Sequence, residues 1–342
     1  MPGLKNLAST AGRPAGKPAD MSALTRLVEQ DLQQVNRLIL ERMHSPVALI
    51  PQLAGHIISA GGKRLRPMLT LATARLCGYP GERHLALAAA VEFIHTATLL
   101  HDDVVDASDL RRGLATANAL WGNKPSVLVG DFLFSRAFQL MVGDGSLEVL
   151  RILSTASAVI AEGEVLQLIT ANDLGTTEAA YLEVIGSKTA ALFAAASEIG
   201  GVIADRPKPE IAALESYGRN LGMAFQLVDD MLDYSARQAE LGKTVGDDFR
   251  DGKMTLPIVL ALQQADAEER EFWRRTLEEQ EQVEADLPRA IQLMRKYGTL
   301  DATLARAGTY ADAAIEALMI FPDQPIRSAL IEVAEFCLQR GY

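Results

Sequence analysis

The chain has 342 residues and a formal charge of −11, with 44 acidic against 33 basic side chains. That balance argues against general nucleic-acid binding, which needs a basic face, so an anionic ligand would be met by local basic clusters or metal ions. Aromatic residues make up only 6% of the chain, while Ala and Leu are plentiful, which favours helix.

Residues 1–20, MPGLKNLASTAGRPAGKPAD, hold three prolines, three glycines and no acid before Asp20. They lack the apolar run of a signal peptide, and a single Arg with helix-breaking prolines does not suit a transit peptide, so 1–21 reads as a flexible extension. From Ser22 the three-four apolar spacing of a helix takes over: Leu24, Leu27, Val28, Leu32, Val35, Leu38 and Ile39, with Ser22 as N-cap. A second helix is expected from about Pro46 to Ser59, followed by a break at Ala60-Gly61-Gly62. Pro67 suits the first turn of the next helix, which Gly78 ends.

One helix should then run from Glu82 to an acidic cluster near Asp102, with a loop from Leu110 to Gly122. Further helices are expected over Lys124–Val142, Ser146–Thr170, Thr177–Gly200 and Glu210–Tyr234. Ser235–Lys253 reads as a loop, and Thr255–Gln339 as several helices punctuated at Pro288, Gly298 and Pro322. No segment alternates like a strand and no linker divides residues 22–342. The expectation is one all-α domain. Cys77 and Cys337 are far apart and away from His-rich spacing, so they read as thiols of a reducing, cytoplasmic compartment. The most apolar segments, such as Leu85–Leu100, are interrupted and too short to span a bilayer, so membrane contact would be peripheral.

The chemistry concentrates in VEFIHTATLLHDDVVDASDLRR, Val91 to Arg112. Asp102 and Asp106 share a helix face, with Asp103 about 100° round, and like charges so spaced repel. A solvated helix end is one reading; a bound cation is the other. Oxygen ligands without thiolate point to Mg²⁺ rather than zinc. The second cluster, Asp229, Asp230 and Asp233, repeats DDxxD after another apolar helix. Two such clusters facing each other could hold several Mg²⁺ ions and, through them, a diphosphate. Lys63, Arg64 and Arg66 stand at a Gly-flanked break before a helix N-terminus, which favours anions. Arg111 and Arg112 follow the first cluster; Lys243 and Lys253 lie beyond the second. Lys188, Thr189 and Gln226 are weaker candidates, since a snorkelling lysine and a core amide explain them equally. His95, two turns before Asp102, is either a core histidine or a diphosphate contact.

On these residues the chain resembles the long-chain trans-isoprenyl diphosphate synthases, the octaprenyl-to-decaprenyl group. The matching pieces are GGKRLRP (61–67), HTATLLHDDVVDASDLRRG (95–113), GDFLFSRAFQ (130–139), SKTA (187–190), FQLVDDMLDY (225–234) and GKTVGDDFRDGKMTLP (242–257). The resemblance implies the all-helical isoprenoid synthase fold, a homodimer, and two Asp-rich motifs facing across a deep central cavity. It assigns Asp102, Asp106 and Asp229 to Mg²⁺, supported by Asp103, Asp230 and Asp233. Isopentenyl diphosphate would be held by Lys63, Arg66, His95 and Arg112. An allylic diphosphate, farnesyl or geranyl, would be held by Arg111, Lys188, Thr189, Gln226, Lys243 and Lys253. Asp251 departs from the Glu that the family places before Gly252-Lys253.

No general base stands out; in the family the released diphosphate takes the proton. Ala97 and Thr98, one turn before Asp102, are small, which leaves the cavity open and predicts a C40–C50 product, with Phe138 or Met141 near its floor. The resemblance points by analogy to a quinone side chain, with the product handed to the membrane. A shorter-chain geranylgeranyl or farnesyl synthase is the alternative. A terpene cyclase would carry an Asn/Ser/Glu second motif, an HD-type phosphohydrolase would leave the second cluster unexplained, and a non-catalytic subunit would lack one cluster.

Overall fold

The computed structural model describes residues 20–59, 62–111, 113–235 and 245–340. The expected N-terminal extension, Gly61, Arg112 and Lys243 lie outside the described residues, apart from Asp20 and Met21. In α1 (Ser22–Arg42) the spacing of Leu24, Val28, Val35 and Ile39 buries all four on one face. Ser22 is the first helical residue rather than the cap; its backbone N–H donates to Asp20 Oδ1 at 2.8 Å. Helix α2 (Leu49–Ser59) begins three residues later than Pro46, and α3 (Leu65–Leu76) holds Pro67 in its first turn. Helix α4 (Arg83–Val105) carries the first acidic cluster at its end.

Where only loop was expected, Leu110–Arg111 (β1) and Leu114–Ala115 (β2) pair antiparallel, and Thr116 caps a short α5 (Ala117–Trp121). Helices α6 (Asn123–Asp144) and α7 (Leu147–Thr170) follow, the latter capped by Ser146 as its position implies. The helix expected over Thr177–Gly200 is divided: α8 (Glu178–Ile185), a π-helical turn (Gly186–Ala190) and α9 (Ala191–Ile203). Then come α10 (Lys208–Leu232), a one-turn α11 (Asp247–Arg250), α12 (Leu256–Gln264) and α13 (Ala267–Trp273). The chain ends with α14 (Asp286–Lys296), α15 (Thr299–Ala317) and α16 (Pro325–Gln339). Pro288 does not punctuate: it occupies the first turn of α14, where a missing N–H costs nothing. Gly298 does, starting α15 at φ 62°.

Helix α10 joins two apolar cores. Its Leu214, Tyr217 and Leu221 pack with α1, α3, α4, α6, α7 and α9, whereas Leu227, Val228 and Met231 pack with α12 to α15. The Tyr217 hydroxyl, buried at this junction, donates to the Leu330 carbonyl at 2.9 Å. Helices α9 and α10 approach backbone to backbone. A Cβ on Gly222 would lie 2.7 Å from Ala190 Cα, and one on Gly218 would fall inside contact of the Phe193 carbonyl. Helices α6 and α7 are long and apolar enough to cross a membrane by length and composition alone, a property that core helices of soluble proteins share. Their apolar stretches are 39% and 28% buried within the chain, so each keeps a largely exposed apolar face.

Because the new methyl meets the Phe193 backbone as well as Ser197 Oγ, Gly218→Ala should cost about 2 kcal/mol of unfolding free energy. Urea denaturation followed by circular dichroism measures it; an unchanged midpoint would show that the two helices can part freely.

Candidate active site

Each acidic cluster is built by a helix C-terminus. Asp102 and Asp103 lie in the last turn of α4 with Asp106 as its C-cap; Asp229 and Asp230 lie in the last turn of α10 with Asp233 as its C-cap. Helix C-termini already carry partial negative charge, so the fold concentrates unfavourable charge twice. Helix α11 adds Asp248, whose backbone N–H donates to Asp233 Oδ2 at 3.1 Å. Burial is the main cause of the resulting pKa shifts: Asp102 is pushed up to about 7, with Lys188 opposing and Glu164 and Asp106 adding to it. Burial likewise raises Asp230 and Asp233 to about 6 and Asp248 well above the carboxylate range.

Cations pair with carboxylates of both clusters. Lys253 Nζ lies 3.1 Å from Asp251, 3.6 Å from Asp248 and 3.7 Å from Asp106, so it links the first cluster to the segment beyond the second. Burial opposes its charge, but those carboxylates outweigh burial and raise its pKa. Lys188 Nζ is 2.7 Å from Glu164 and 4.0 Å from Asp102. Arg111, on β1, pairs with Asp103 at 2.7 Å, and Arg340 donates to Asp229 at 3.0 Å.

The π turn aims two adjacent residues into the site. From it Lys188 reaches Glu164, and Thr189 Oγ1 donates to Gln226 Oε1 at 2.9 Å. Gln226 Nε2 donates to Asp230 Oδ1 at 2.7 Å, and the buried Tyr181 hydroxyl to Asp230 Oδ2 at 2.5 Å. Both oxygens of Asp230 are thereby oriented. Tyr181, Glu164, Asp248 and Arg340 were not expected from the sequence. Asp248 alone had a signal there, inside the GDDFRDGK stretch.

At the other end Arg64 starts α3 in the left-handed region, φ 49°, and pairs with Glu92 of α4. Arg66 Nη1 meets His95 Nε2 at 3.1 Å; arginine has no acceptor, so the imidazole accepts. The Arg66 guanidinium lies over the Phe193 ring at 4.4 Å, and burial lowers its pKa to about 10. It therefore stays cationic at neutral pH while its buried Nε has no hydrogen-bond partner. Lys63 lies over Phe336 at 4.6 Å.

Beneath Asp102 a cavity of about 560 Å³ opens between α4, α6 and α7, walled by Thr98, Val105, Phe134, Phe138, Ile160 and Ala161. Ala97 and Met141, expected to shape this space, are fully buried in the surrounding core and do not line it. The helical rotation explains the difference: Thr98, His101, Asp102 and Val105 share one stripe of α4, and Ala97 is turned 100° from Thr98. Beside the clusters a smaller pocket of about 120 Å³ gathers Tyr181, Lys188, Gln226, Asp230, Asp248 and Lys253. Among the described residues no three carboxylates converge as a closed metal cage would require. The donor set fits a hard divalent ion that takes one or two carboxylates and completes its shell with phosphate and water.

Residues 47–294 match the polyprenyl synthetase family. The chain belongs to that family. It is 50% identical to the octaprenyl diphosphate synthase of Escherichia coli over 321 residues, covering 94% of this chain and 99% of the relative. A decaprenyl diphosphate synthase structure from Rhodobacter capsulatus superposes with a TM-score of 0.92 at 55% identity, covering 94% of this chain and all of that one. A polyprenyl synthase from Caulobacter crescentus, complexed with calcium and isoprenyl diphosphate, superposes with a TM-score of 0.91 at 56% identity, covering 94% and 98%. The expected isoprenoid synthase fold is therefore present, and this family member is a prenyltransferase, a trans-polyprenyl diphosphate synthase of the long-chain type that acts on an isoprenyl diphosphate.

The raised carboxylate pKa values have a measurable consequence. Unfolded, these groups titrate near 3.8; folded and metal-free, Asp102 titrates near 7 and Asp230 and Asp233 near 6. The folded protein then binds more protons than the unfolded chain in that window, so these groups lose stability as pH rises through it. A divalent cation should offset the loss where the groups are ionised. Millimolar Mg²⁺ should raise the melting temperature clearly at about pH 8 and little at about pH 5. Equal shifts at both pH values in differential scanning calorimetry would contradict the link.

Proposed function

We propose that the enzyme elongates an allylic diphosphate, farnesyl or geranyl, by repeated condensation with isopentenyl diphosphate to a product in the octaprenyl-to-decaprenyl range, with Mg²⁺ as the metal. The observation that carries this reading is the acidic end of α4, tied through Lys253 to Asp248 beside the second acidic helix end, with its Asp102 at the mouth of an apolar-walled cavity of about 560 Å³. Asp102, Asp106 and Asp229 are assigned to the metal, with Asp103, Asp230 and Asp233 in support. Asp230's two hydrogen-bond partners favour an orienting role for it. When bound, Mg²⁺ supplies positive charge for the diphosphate oxygens.

The chain's own residues do the remainder. Lys188, Arg111, Lys253 and the Thr189–Gln226 pair, grouped around the acidic clusters, are assigned to the allylic diphosphate, and Lys243 is assigned there by position in the motif. Cationic groups aimed at the departing diphosphate stabilise the charge that develops as the C–O bond ionises. Lys63, Arg66 and His95, joined by Arg112 from the motif, are assigned to isopentenyl diphosphate. The stacking of Arg66 on Phe193 and its bond to His95 hold that guanidinium in place before the ligand arrives. The double bond of isopentenyl diphosphate attacks the allylic cation, and the proton released goes to the diphosphate. The apolar walls keep water from the cation.

The growing tail is assigned to the cavity below Thr98. Each added unit buries five carbons, worth roughly 3–4 kcal/mol, so release of the long product should be slow. The exposed apolar residues of α6 and α7, among them Leu128, Val142, Leu168 and Ile169, support pairing with a second copy of the chain. Quinone side chains are the proposed destination, with hand-over at the membrane surface from a cytoplasmic enzyme.

Purified protein with Mg²⁺, radiolabelled isopentenyl diphosphate and farnesyl diphosphate should yield a linear polyprenyl diphosphate; no product, or a cyclic hydrocarbon, would overturn the reading. Thr98→Phe should place a ring across the cavity and shorten the product to a few added units. An unchanged chain-length distribution on reversed-phase thin-layer chromatography would remove the tail from this cavity.

A further inference from the structure

Glu164 stands in the last turns of α7, outside every motif to which a role has been given. We infer that Glu164 is a positioning residue that holds the Lys188 ammonium off Asp102 and so keeps that carboxylate open to a divalent cation. This rests on the assignment of Asp102 to the metal.

The backbone of Lys188 has little freedom. Its neighbour across the contact is Gly163, where a Cβ would lie 2.7 Å from Ser187 Cβ and 2.8 Å from Lys188 N. Helix α7 and the π turn therefore touch backbone to backbone, and the placement of the ammonium is left to the lysine stem. Two carboxylates are within its reach. Glu164 Oε2 takes it at 2.7 Å, a hydrogen-bonded ion pair, while Asp102 Oδ2 stands at 4.0 Å, beyond hydrogen-bond distance. A flexible four-carbon stem could close that gap with a small change of rotamer. Lysine would then cap a carboxylate that a cation needs.

A second observation isolates the role of Glu164. Its other oxygen, Oε1, is buried with no hydrogen-bond partner, so the side chain serves no hydrogen-bond network beyond Lys188. The cost of that lone buried oxygen is borne beside the metal-assigned carboxylate, where the lysine's position matters. An amide at 164 could still accept a hydrogen bond but would carry no charge, leaving Asp102 as the stronger attraction for the ammonium.

The test compares wild type, Glu164→Gln, Lys188→Met and the double variant without substrate, using Mn²⁺ as the probe ion. In crystals of metal-free Glu164→Gln, Lys188 Nζ should move to hydrogen-bond distance from Asp102. Mn²⁺ binding, read by electron paramagnetic resonance, should weaken about five-fold, the scale of one partly exposed ion pair. In the Lys188→Met background the same Glu164→Gln change should have no effect. Glu162→Gln, on an exposed face of α7, should match wild type. The inference is overturned if Lys188 stays in place, if Mn²⁺ affinity is unchanged, or if Glu164→Gln weakens binding equally without the lysine, since the glutamate would then act on the ion directly. Failure of wild type itself to bind Mn²⁺ would instead remove the metal assignment of Asp102.

Discussion

Carboxylates crowded at the negative ends of two helices are the constraint around which this molecule is arranged. Six aspartates stand in two clusters, with Asp248 added by α11, and burial raises the cost of charge at Asp102, Asp230, Asp233 and Asp248. Without cations that arrangement would oppose folding. Lys188, Lys253, Arg111 and Arg340 relieve it, each arriving from a different part of the chain. The charge that these four leave unmatched suits the site to divalent ions and diphosphate, because such ligands complete the pattern.

The precision of the site comes from close backbone approach. Gly163 against the π turn and Gly218 and Gly222 against α9 bring helices nearer than side chains would allow. The extra residue of a π turn shifts the helical phase, so Lys188 and Thr189 both face the clusters, one toward Asp102 and the other toward Gln226. The feature that breaks regularity is thus the one that serves the chemistry.

Local signals carried most of the fold and much of the site. Apolar spacing at three and four residues placed most helices to within a few positions, and the repeated DDxxD after apolar runs singled out the acidic clusters. Phase was harder. Ala97 and Thr98 are adjacent in the chain, yet Thr98 shares the stripe of Asp102 and lines the cavity while Ala97 turns into the core. The π turn gave no warning, since GSKTA fits a helix as well as any neighbouring stretch. Tyr181 and Glu164 sit in ordinary helices and Arg340 caps the end of another, and their partners lie between 24 and 111 residues away.

Sequence alone determined the helical class, the two acidic clusters, the basic break before α3 and the family. Those properties are written in spacing and in residue type, which act over a turn or two of helix. Tertiary structure decided which wall of α4 the cavity uses, which lysine faces which aspartate, and which buried groups orient Asp230. Such outcomes depend on helix rotation and on contacts between distant segments. An error of one residue in phase, invisible in composition, turns a lining side chain into a core one.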